Sequence, residues 1–155
     1  MTHKVIPDIF NEYVKNSKEK AIVVNKKVFL CNLTNCVFRE MYFPSNKTYI
    51  TTRAIKHMFD KKPAEEFIFL IENIHKIIKY PDKIYKNKNS KRGSFCFVKS
   101  IEKDDYICCI EITEEVVNEI NTEEIQIVTS FRIRKQNYLD NYKLLWSWKD
   151  DKPSS

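Results

Sequence analysis

The sequence contains a single glycine, Gly93, among its 155 residues. Loops that cradle phosphates with their backbone need several residues that lack a Cβ atom. No segment of this chain can supply such a loop. The sequence therefore argues against nucleotide chemistry of the P-loop or Rossmann kind.

Cysteine is present, but not in the patterns that bind metal or form disulfide frameworks. The five cysteines form no Cys-x-x-Cys pair, and no histidine follows them at zinc-ligand spacing. Their odd number also argues against a disulfide framework. Cys96, Cys108 and Cys109 stand within apolar runs, where a thiol behaves as a small hydrophobe. We expect these residues to pack in a core, and we expect no metal and no cofactor.

Long apolar runs are also missing. No apolar stretch approaches 18 residues, and the N-terminus, MTHKVIPDIFNEYVKNSKEK, lacks the apolar segment of a signal peptide. We expect a cytoplasmic protein with no membrane partner. Export by a specialised route, or as part of a larger toxin, stays open.

The sequence contains enough apolar residues for one hydrophobic core, and its charged residues are unevenly distributed along the chain. Hydrophobic residues make up 43% of the chain, and the net charge is +6. Seven basic residues stand against one acid between Lys76 and Arg92, whereas nine acids stand against one base between Glu102 and Glu124. The basic zone is either a footprint for a phosphate backbone or a solvated lysine-rich loop.

Hydrophobic periodicity predicts an α+β fold, with helices followed by an antiparallel β-sheet meander. Residues 1–47 would form a small N-terminal extension of one helix and one hairpin, 48–148 the main domain and 149–155 a disordered tail. Residues 32–50 read as irregular, and 114–122 as a short helix or a longer connection. The predicted helices are Pro7–Lys15, a short one capped by Thr51 or Thr52, one from Pro63 to Lys79 and one near 137–148; the predicted strands are 21–25, 27–31, 94–101, 105–112 and 124–134.

His57 is the first candidate for chemistry. Cleavage of RNA without a metal needs one group that takes the 2′-OH proton and another that protonates the leaving 5′-oxygen. Histidine can act in either direction because its ordinary pKa is about 6.5. On a helical wheel His57 lies near Arg53 on the polar side, so it can face a phosphate or be an ordinary surface residue. His75 reads as packing or surface, and His3 stands in the N-terminal segment.

The strand at 124–134 is the second candidate. Strict alternation places Thr129 on the core-facing side, and places Ser130, Arg132 and Arg134 on the other side. Because the arginine fork matches phosphate geometry, this polar stripe is either an anion-binding platform or an exposed, charged sheet face.

Four segments, taken in order, resemble the phage-associated Barnase–EndoU–colicin–RelE-like nucleases, which are short ribonuclease toxin domains with helices followed by an antiparallel sheet. The segments are ITTRAIKHMFDK (50–61), IIKYPDKIYKN (77–87), YICCIEI (106–112) and IVTSFRIRKQNYL (127–139). The aromatic NYLDNYKLLW that follows is seen in some members. The resemblance covers about residues 48–148.

The resemblance implies a role for particular residues. His57 would be the general acid or base, Lys86 or Lys83 a phosphate contact, Thr129 the strand hydroxyl and Tyr138 a donor to phosphate or base. Here the family pattern selects Thr129 whereas alternation points Ser130 outward, and a β-bulge would exchange the two. The partners implied are RNA and, for a toxin, a cognate immunity or antitoxin protein.

Three functions therefore stand side by side. The first is a metal-independent endoribonuclease that leaves a 2′,3′-cyclic phosphate. The second is an RNA-binding module without catalysis, because no partner acid or base for His57 can be identified in the sequence. The third is a protein-interaction domain, such as an immunity or phage accessory protein, that binds through the acidic segment Glu102–Glu124.

Overall fold

The computed structural model describes residues 4–88 and 93–148. Four helices pack on one seven-stranded sheet, so the α+β prediction is confirmed. The helices are α1 (Val5–Ile9, continued by a π-helical turn, Phe10–Val14), α2 (Asn35–Glu40), α3 (Thr52–Lys61) and α4 (Ala64–Lys79). The strands are β1 (Lys27–Asn32), β2 (Lys47–Thr51), β3 (Lys83–Lys86), β4 (Phe95–Ile101), β5 (Asp104–Val117), β6 (Ile120–Arg132) and β7 (Leu144–Ser147).

The strand order is β1-β2-β6-β5-β4-β3-β7. Neighbouring strands are antiparallel except β2 and β6, which are parallel. The sheet is therefore larger than the predicted three-stranded meander, and the meander β4-β5-β6 forms its centre.

The main core lies between the helices and one face of the sheet, which we call the helix face. Three rings join α1, α3 and α4: the centroids of Phe10 and Phe67 are 4.9 Å apart, and those of Phe10 and Phe59 are 5.1 Å apart. Ile74, on α4, and Ile110, on β5, are fully buried in this core. The apolar stripe predicted for α4 is thus the surface that covers the sheet.

A second core lies on the opposite face, which we call the outer face. Cys96, Val98, Ile107 and Cys109 form it. Tyr138, Leu139 and Tyr142 pack against it, so the segment between β6 and β7 crosses this face. Cys96, Cys108 and Cys109 are buried, as predicted from the apolar runs around them.

Local sequence explains the two helices that matter most for the site. The Thr51 Oγ1 atom accepts a hydrogen bond from the Ala54 N–H at 3.1 Å, which caps α3 as predicted. Pro63 precedes α4, which has two glutamates in its first turn and two lysines in its last, as the helix macrodipole favours.

Gly93 is needed where the chain enters β4. Its φ is +103°, and a Cβ atom there would lie 2.6 Å from the Ile110 carbonyl oxygen. The next residue, Ser94, donates its N–H to that same oxygen at 2.7 Å. Only a residue without a side chain lets the backbone approach β5 this closely.

Two N-terminal predictions were wrong. Residues 21–25 form no strand, because Ile22 and Val24 are 93% and 63% exposed and no neighbouring strand pairs with them. The partner of β1 is instead β2, within the stretch 32–50 that was predicted to be irregular and that also contains α2.

Three further predictions were wrong or incomplete. The segment 114–122 is neither helix nor connection: β5 and β6 continue through it and meet at a turn where Asn118 and Glu119 both have positive φ. The predicted helix near 137–148 is absent, since turns lead into β7. Strand β3 was missed altogether.

Some predictions lie outside the described residues. They concern the tail 149–155, His3, and the residues Lys91 and Arg92 of the basic zone.

Candidate functional site

A β-bulge in β6 decides which side chains face which way. Cys109 pairs with Thr129, but the next residue of β5, Ile110, pairs with Ile127, so Val128 is the extra residue. Paired residues share a face. Because Cys109 belongs to the second core, Thr129 lies on the outer face; because Cys108 belongs to the main core, its partner Ser130 lies on the helix face.

The bulge thus exchanges the two hydroxyls relative to strict alternation. Ser130 is fully buried, and its hydroxyl donates to the Ile107 carbonyl oxygen at 2.7 Å. Burial also raises the pKa of the neighbouring Cys108 thiol. Thr129 is 7% exposed on the outer face. Ser130 is therefore a structural residue, and Thr129 is the hydroxyl nearer the surface.

Helix α3 takes the place of β2 beside the second half of β6. Strand β2 pairs with β6 only at Thr48–Ile125 and Tyr49–Gln126, and α3 begins directly after it and packs against β6. At the C-terminal end of α3, the Nζ atom of Lys62 lies 5.3 Å from the centroid of the Phe131 ring. These two ends place α3 alongside residues 128–131.

The outward side of α3 carries Arg53 and His57, one helical turn apart, and both are exposed. The inward side carries Ile55 and Met58, which are fully buried in the main core. The polar-side position predicted for His57 is confirmed. No other residue named for catalysis comes from this helix.

A buried lysine fixes α3 to the preceding loop. The Lys56 ammonium donates to the Lys18 carbonyl oxygen and to Asp60 Oδ1, the latter at 2.7 Å. Burial of Asp60 opposes its ionisation. Hydrogen bonds from Lys56 and from the Lys20 N–H, with the charges of Lys56 and His57, nevertheless hold the Asp60 pKa below its ordinary value.

Aromatic side chains line the outer face beyond Thr129. The centroids of Phe131 and Tyr138 are 5.9 Å apart, and those of Tyr138 and Tyr142 are 5.6 Å apart. The Tyr142 hydroxyl donates to the Tyr138 hydroxyl at 3.4 Å. Burial, and then this hydrogen bond, raise the pKa of Tyr142, so the Tyr142 hydroxyl stays protonated and can donate near neutral pH.

The two lysines implied as phosphate contacts lie on opposite faces of β3. Lys83 pairs with Val98 of the second core, so it lies on the outer face, whereas Lys86 pairs with Phe95 and lies on the helix face. Three strand spacings, about 14 Å, separate β3 from β6. Lys83 therefore shares a face with Thr129 without adjoining it, and Lys86 does not share that face.

Arg132 and Arg134 do not join Thr129. Arg132 pairs with Tyr106 on the helix face, and the guanidinium of Arg134 forms an ion pair with Glu66 at the start of α4. Arg132 Nη1 lies 3.6 Å from Asp104 Oδ2. Ser130 and Arg132 do share one face, as alternation predicted, but it is the helix face and not the outward one. The stripe is not an open platform, because Ser130 is buried and carboxylates pair with both arginines.

The structure thus brings Thr129 and Tyr138 to one face, while α3, whose inward side packs in the main core, lies against β6. Sequence reasoning missed Phe131, Tyr142 and Lys62 as part of the same surface, and included Lys88 only as one base of the zone from Lys76 to Arg92. The Nζ atom of Lys88 lies 5.8 Å from the Tyr142 ring centroid. The tyrosines of YLDNY, which lie in a stretch with more bases than acids, could have indicated this surface. The predicted helix instead placed their side chains on one side of a helix.

Neither a metal cluster nor a membrane span is found in the described part of the chain. Within residues 4–88 and 93–148, no three His, Cys, Asp or Glu side chains are grouped so that they could hold one metal ion. None of the helices described there is both long and apolar enough to cross a bilayer.

Comparison with known proteins adds one finding. The sequence model of the family described as phage-Barnase-EndoU-ColicinE5/D-RelE like nuclease3 matches residues 37–141, which include α3, α4 and strands β2 to β6. The match begins inside the region predicted as an N-terminal extension. No curated protein and no solved structure gives a significant match. Because the family match spans more than half of the chain, the chain belongs to this family of phage-associated nucleases.

Proposed function

We propose that the chain is an endoribonuclease that cleaves RNA by attack of a 2′-hydroxyl and needs no metal ion. One observation carries the proposal: α3 presents His57 on its outward side and lies alongside residues 128–131, whose Thr129 faces the aromatic outer surface. An imidazole on the helix beside this strand, and a hydroxyl on the aromatic face of the strand, are suited to a nucleotide with its phosphate.

In the proposed reaction the 2′-oxygen attacks the adjacent phosphorus and loses its proton to a base. The bond from phosphorus to the 5′-oxygen breaks, and that oxygen takes a proton. The products are a 2′,3′-cyclic phosphate and a free 5′-hydroxyl. His57 serves one of these proton transfers, and Tyr138 is the candidate for the other because its hydroxyl lies on the outer face.

The phosphate must be held while charge develops on its oxygens. Thr129 is the hydroxyl donor at this place, and Arg53 adds a cation one turn from His57. Lys83 would contact a more distant phosphate of the same strand, since it lies on the same face three strands away. We assign no such role to Ser130, Arg132, Arg134 or Lys86, whose positions point away from this face.

The test is cleavage of a single-stranded RNA by purified protein, with and without EDTA, followed by analysis of the new 3′ ends. We expect cyclic phosphate ends, no effect of EDTA and no cleavage of 2′-deoxy substrate. The variant His57→Gln should lose roughly 10²–10⁴-fold in rate. The matched control is His75→Gln on α4, which should keep wild-type activity. Unchanged cleavage by His57→Gln would remove the assignment.

Binding of RNA without catalysis is the second candidate. One observation favours it: the other two histidines are His75, half-buried on α4, and His3, outside the described residues. Among the described residues, His57 is thus the one exposed histidine. This candidate predicts salt-sensitive RNA binding and intact RNA after long incubation.

For the biological role, we propose a toxin that acts on RNA in a bacterial cytoplasm and is held inactive by an immunity or antitoxin protein. The phage-associated family supports this role. Induced expression should stop growth for the wild type and not for His57→Gln at equal protein level. Equal growth of both strains would contradict the toxin role.

A further inference from the structure

The outer face carries a row of three aromatic rings, and only one of them has a part in the proposed reaction. Phe131, Tyr138 and Tyr142 form this aromatic row, with successive centroid spacings of 5.9 and 5.6 Å. All three are half-buried, so each ring also reaches solvent. Their inner sides rest on the second core, which holds the rings in place.

A lysine stands at each end of the aromatic row. Lys62 Nζ lies 5.3 Å from the Phe131 centroid, and Lys88 Nζ lies 5.8 Å from the Tyr142 centroid. The neighbourhood is basic: Lys83 lies on the same face of β3, and Lys135 and Lys143 are exposed in the segment that carries the tyrosines. Rings bordered by cations match a chain of bases joined by phosphates.

We propose that the aromatic row is a binding track for single-stranded RNA, whose bases stack on the rings while Lys62 and Lys88 contact phosphates. The ring spacings exceed the rise of about 3.4 Å per nucleotide in a stacked helix, so bases that follow the rings must be separated from each other. A duplex cannot open its bases in this way without unpairing.

The position of the row relates it to the proposed reaction. It starts at Phe131, where the end of α3 meets β6, and leads across the outer face to Lys88, just beyond β3. A strand bound on the row would thus extend from the site beside His57 toward β3. This inference rests on the proposed ribonuclease for its substrate, but its binding step can be measured separately.

A second ring pair on the same face provides the control. Phe29 and Tyr49 contact each other at 5.8 Å, and Lys27 Nζ lies 5.3 Å from the Tyr49 centroid. There, however, Lys27 is paired with Glu124 at 2.6 Å, and Glu123 lines the same cleft. The cation is already neutralised, and acids repel phosphate, so we expect no RNA at this pair.

The experiment measures the Kd of a short, fluorescein-labelled 2′-O-methyl RNA, either single-stranded or annealed to its complement. This probe cannot undergo 2′-OH attack, and a gel checks that it stays intact. Tyr142→Leu removes the ring but keeps apolar packing, Tyr142→Phe keeps the ring, and Phe29→Leu removes an exposed ring elsewhere. Thermal melting verifies that each variant is folded. Lys88→Gln and its control Lys15→Gln change exposed residues only.

We expect the single strand to bind at least roughly tenfold more tightly than the duplex. Tyr142→Leu should weaken single-strand binding roughly 5- to 150-fold, the range measured for loss of one stacked base, whereas Tyr142→Phe and Phe29→Leu should bind as the wild type does. Lys88→Gln should weaken binding and Lys15→Gln should not.

Equal affinity for single strand and duplex would overturn the inference, as would wild-type binding by both Tyr142→Leu and Lys88→Gln. Binding that depends on Tyr142 in a protein that never cleaves unmodified RNA supports the inference and removes only the nuclease proposal.

Discussion

Thr129 and Ser130 are adjacent hydroxyl residues in different surroundings. Thr129 lies on the outer face, and Ser130 donates to the Ile107 carbonyl oxygen inside the main core. We predict that Thr129→Val lowers kcat/KM for RNA about 10- to 100-fold, because a hydrogen bond to a charged phosphate oxygen is lost. Its melting temperature should stay close to that of the wild type, because valine matches the shape of threonine.

Ser130→Ala is the matched variant. It should lower the free energy of unfolding by about 1 kcal/mol through loss of the buried hydrogen bond, while kcat/KM of the folded protein stays near wild type. Denaturant titration and initial cleavage rates measure both quantities. If Ser130→Ala lost the activity and Thr129→Val kept it, the roles assigned to the two hydroxyls would be exchanged.

Asp60 should make the protein sensitive to acid. The Asp60 pKa is lowered in the folded state, so the folded protein favours the carboxylate more strongly than the unfolded chain does. Its stabilising contribution is present above the ordinary aspartate pKa of about 3.9 and is lost as the pH falls through the lower folded pKa. Stability measured between neutral and acid pH should therefore fall less steeply in Asp60→Asn than in the wild type. Identical slopes would show that Asp60 contributes nothing to acid unfolding.

At the scale of elements, one carboxylate joins α4 to the end of β6. Glu66 accepts the Arg132 N–H at 3.3 Å and pairs with the Arg134 guanidinium. Glu66→Gln should lower the free energy of unfolding by about 1 kcal/mol, a modest value because Arg134 is half exposed. Glu65→Gln, an exposed glutamate in the same first turn, removes the same charge near the macrodipole and should cost less. If both variants lost the same free energy of unfolding, the ion pair between Glu66 and Arg134 would contribute nothing to stability.

The elements with strong local signals could be predicted from the sequence. The stripe of α4, the Thr51 cap of α3 and the centres of β4, β5 and β6 all follow from periodicity and capping. Strands β3 and β7 could not, because each has only four residues and their pairing joins segments about sixty residues apart, such as Ile84 and Trp146.

Tertiary contacts also explain the missing C-terminal helix. Tyr138 and Tyr142 pack on the outer face, whereas Trp146 lies in the main core and donates its Nε1–H to Glu40 at 2.8 Å. A single continuous helix cannot reach both faces of a sheet. The apolar residues of this segment do recur at helical intervals, but they pack in two different cores on opposite faces of the sheet.

In the candidate site, too, the sequence predicted only those positions that local structure determines. His57 was predicted to be exposed from its place on α3, and it is. The facing of Thr129 and Ser130 depended on a bulge at Val128, which periodicity cannot locate because one extra residue reverses the alternation beyond it. The pairing of Arg132 and Arg134 with acids depended on the positions of α4 and β5, which are remote in sequence.

For the whole molecule, the distribution of charge matters more than its total. The acids from Glu111 to Glu124 lie along the β5–β6 hairpin, whereas Glu102, Asp104 and Asp105 lie at the β4–β5 turn beside Arg132. The exposed lysines of β3 lie on the other side of the sheet centre from the hairpin partner β6. In the proposed RNA complex, the strand would be attracted to the basic side and repelled by the hairpin. This asymmetry favours the part of the outer face away from the hairpin for the proposed RNA.

Salt dependence of RNA binding tests this charge arrangement. If Lys62, Lys83 and Lys88 contact three phosphates, log K for a single strand should fall with log salt with a slope of about −2. Removal of one contact, in Lys88→Gln, should make the slope less steep by about 0.7, because one fewer condensed counterion is released. Lys15→Gln lowers the net charge of +6 by the same amount, but Lys15 directly follows the π-helical turn Phe10–Val14, which packs in the main core on the helix face. The slope for this variant should therefore equal that of the wild type. If both variants changed the slope equally, binding would respond to total charge, and the lysines at the ends of the aromatic row would have no special part in it.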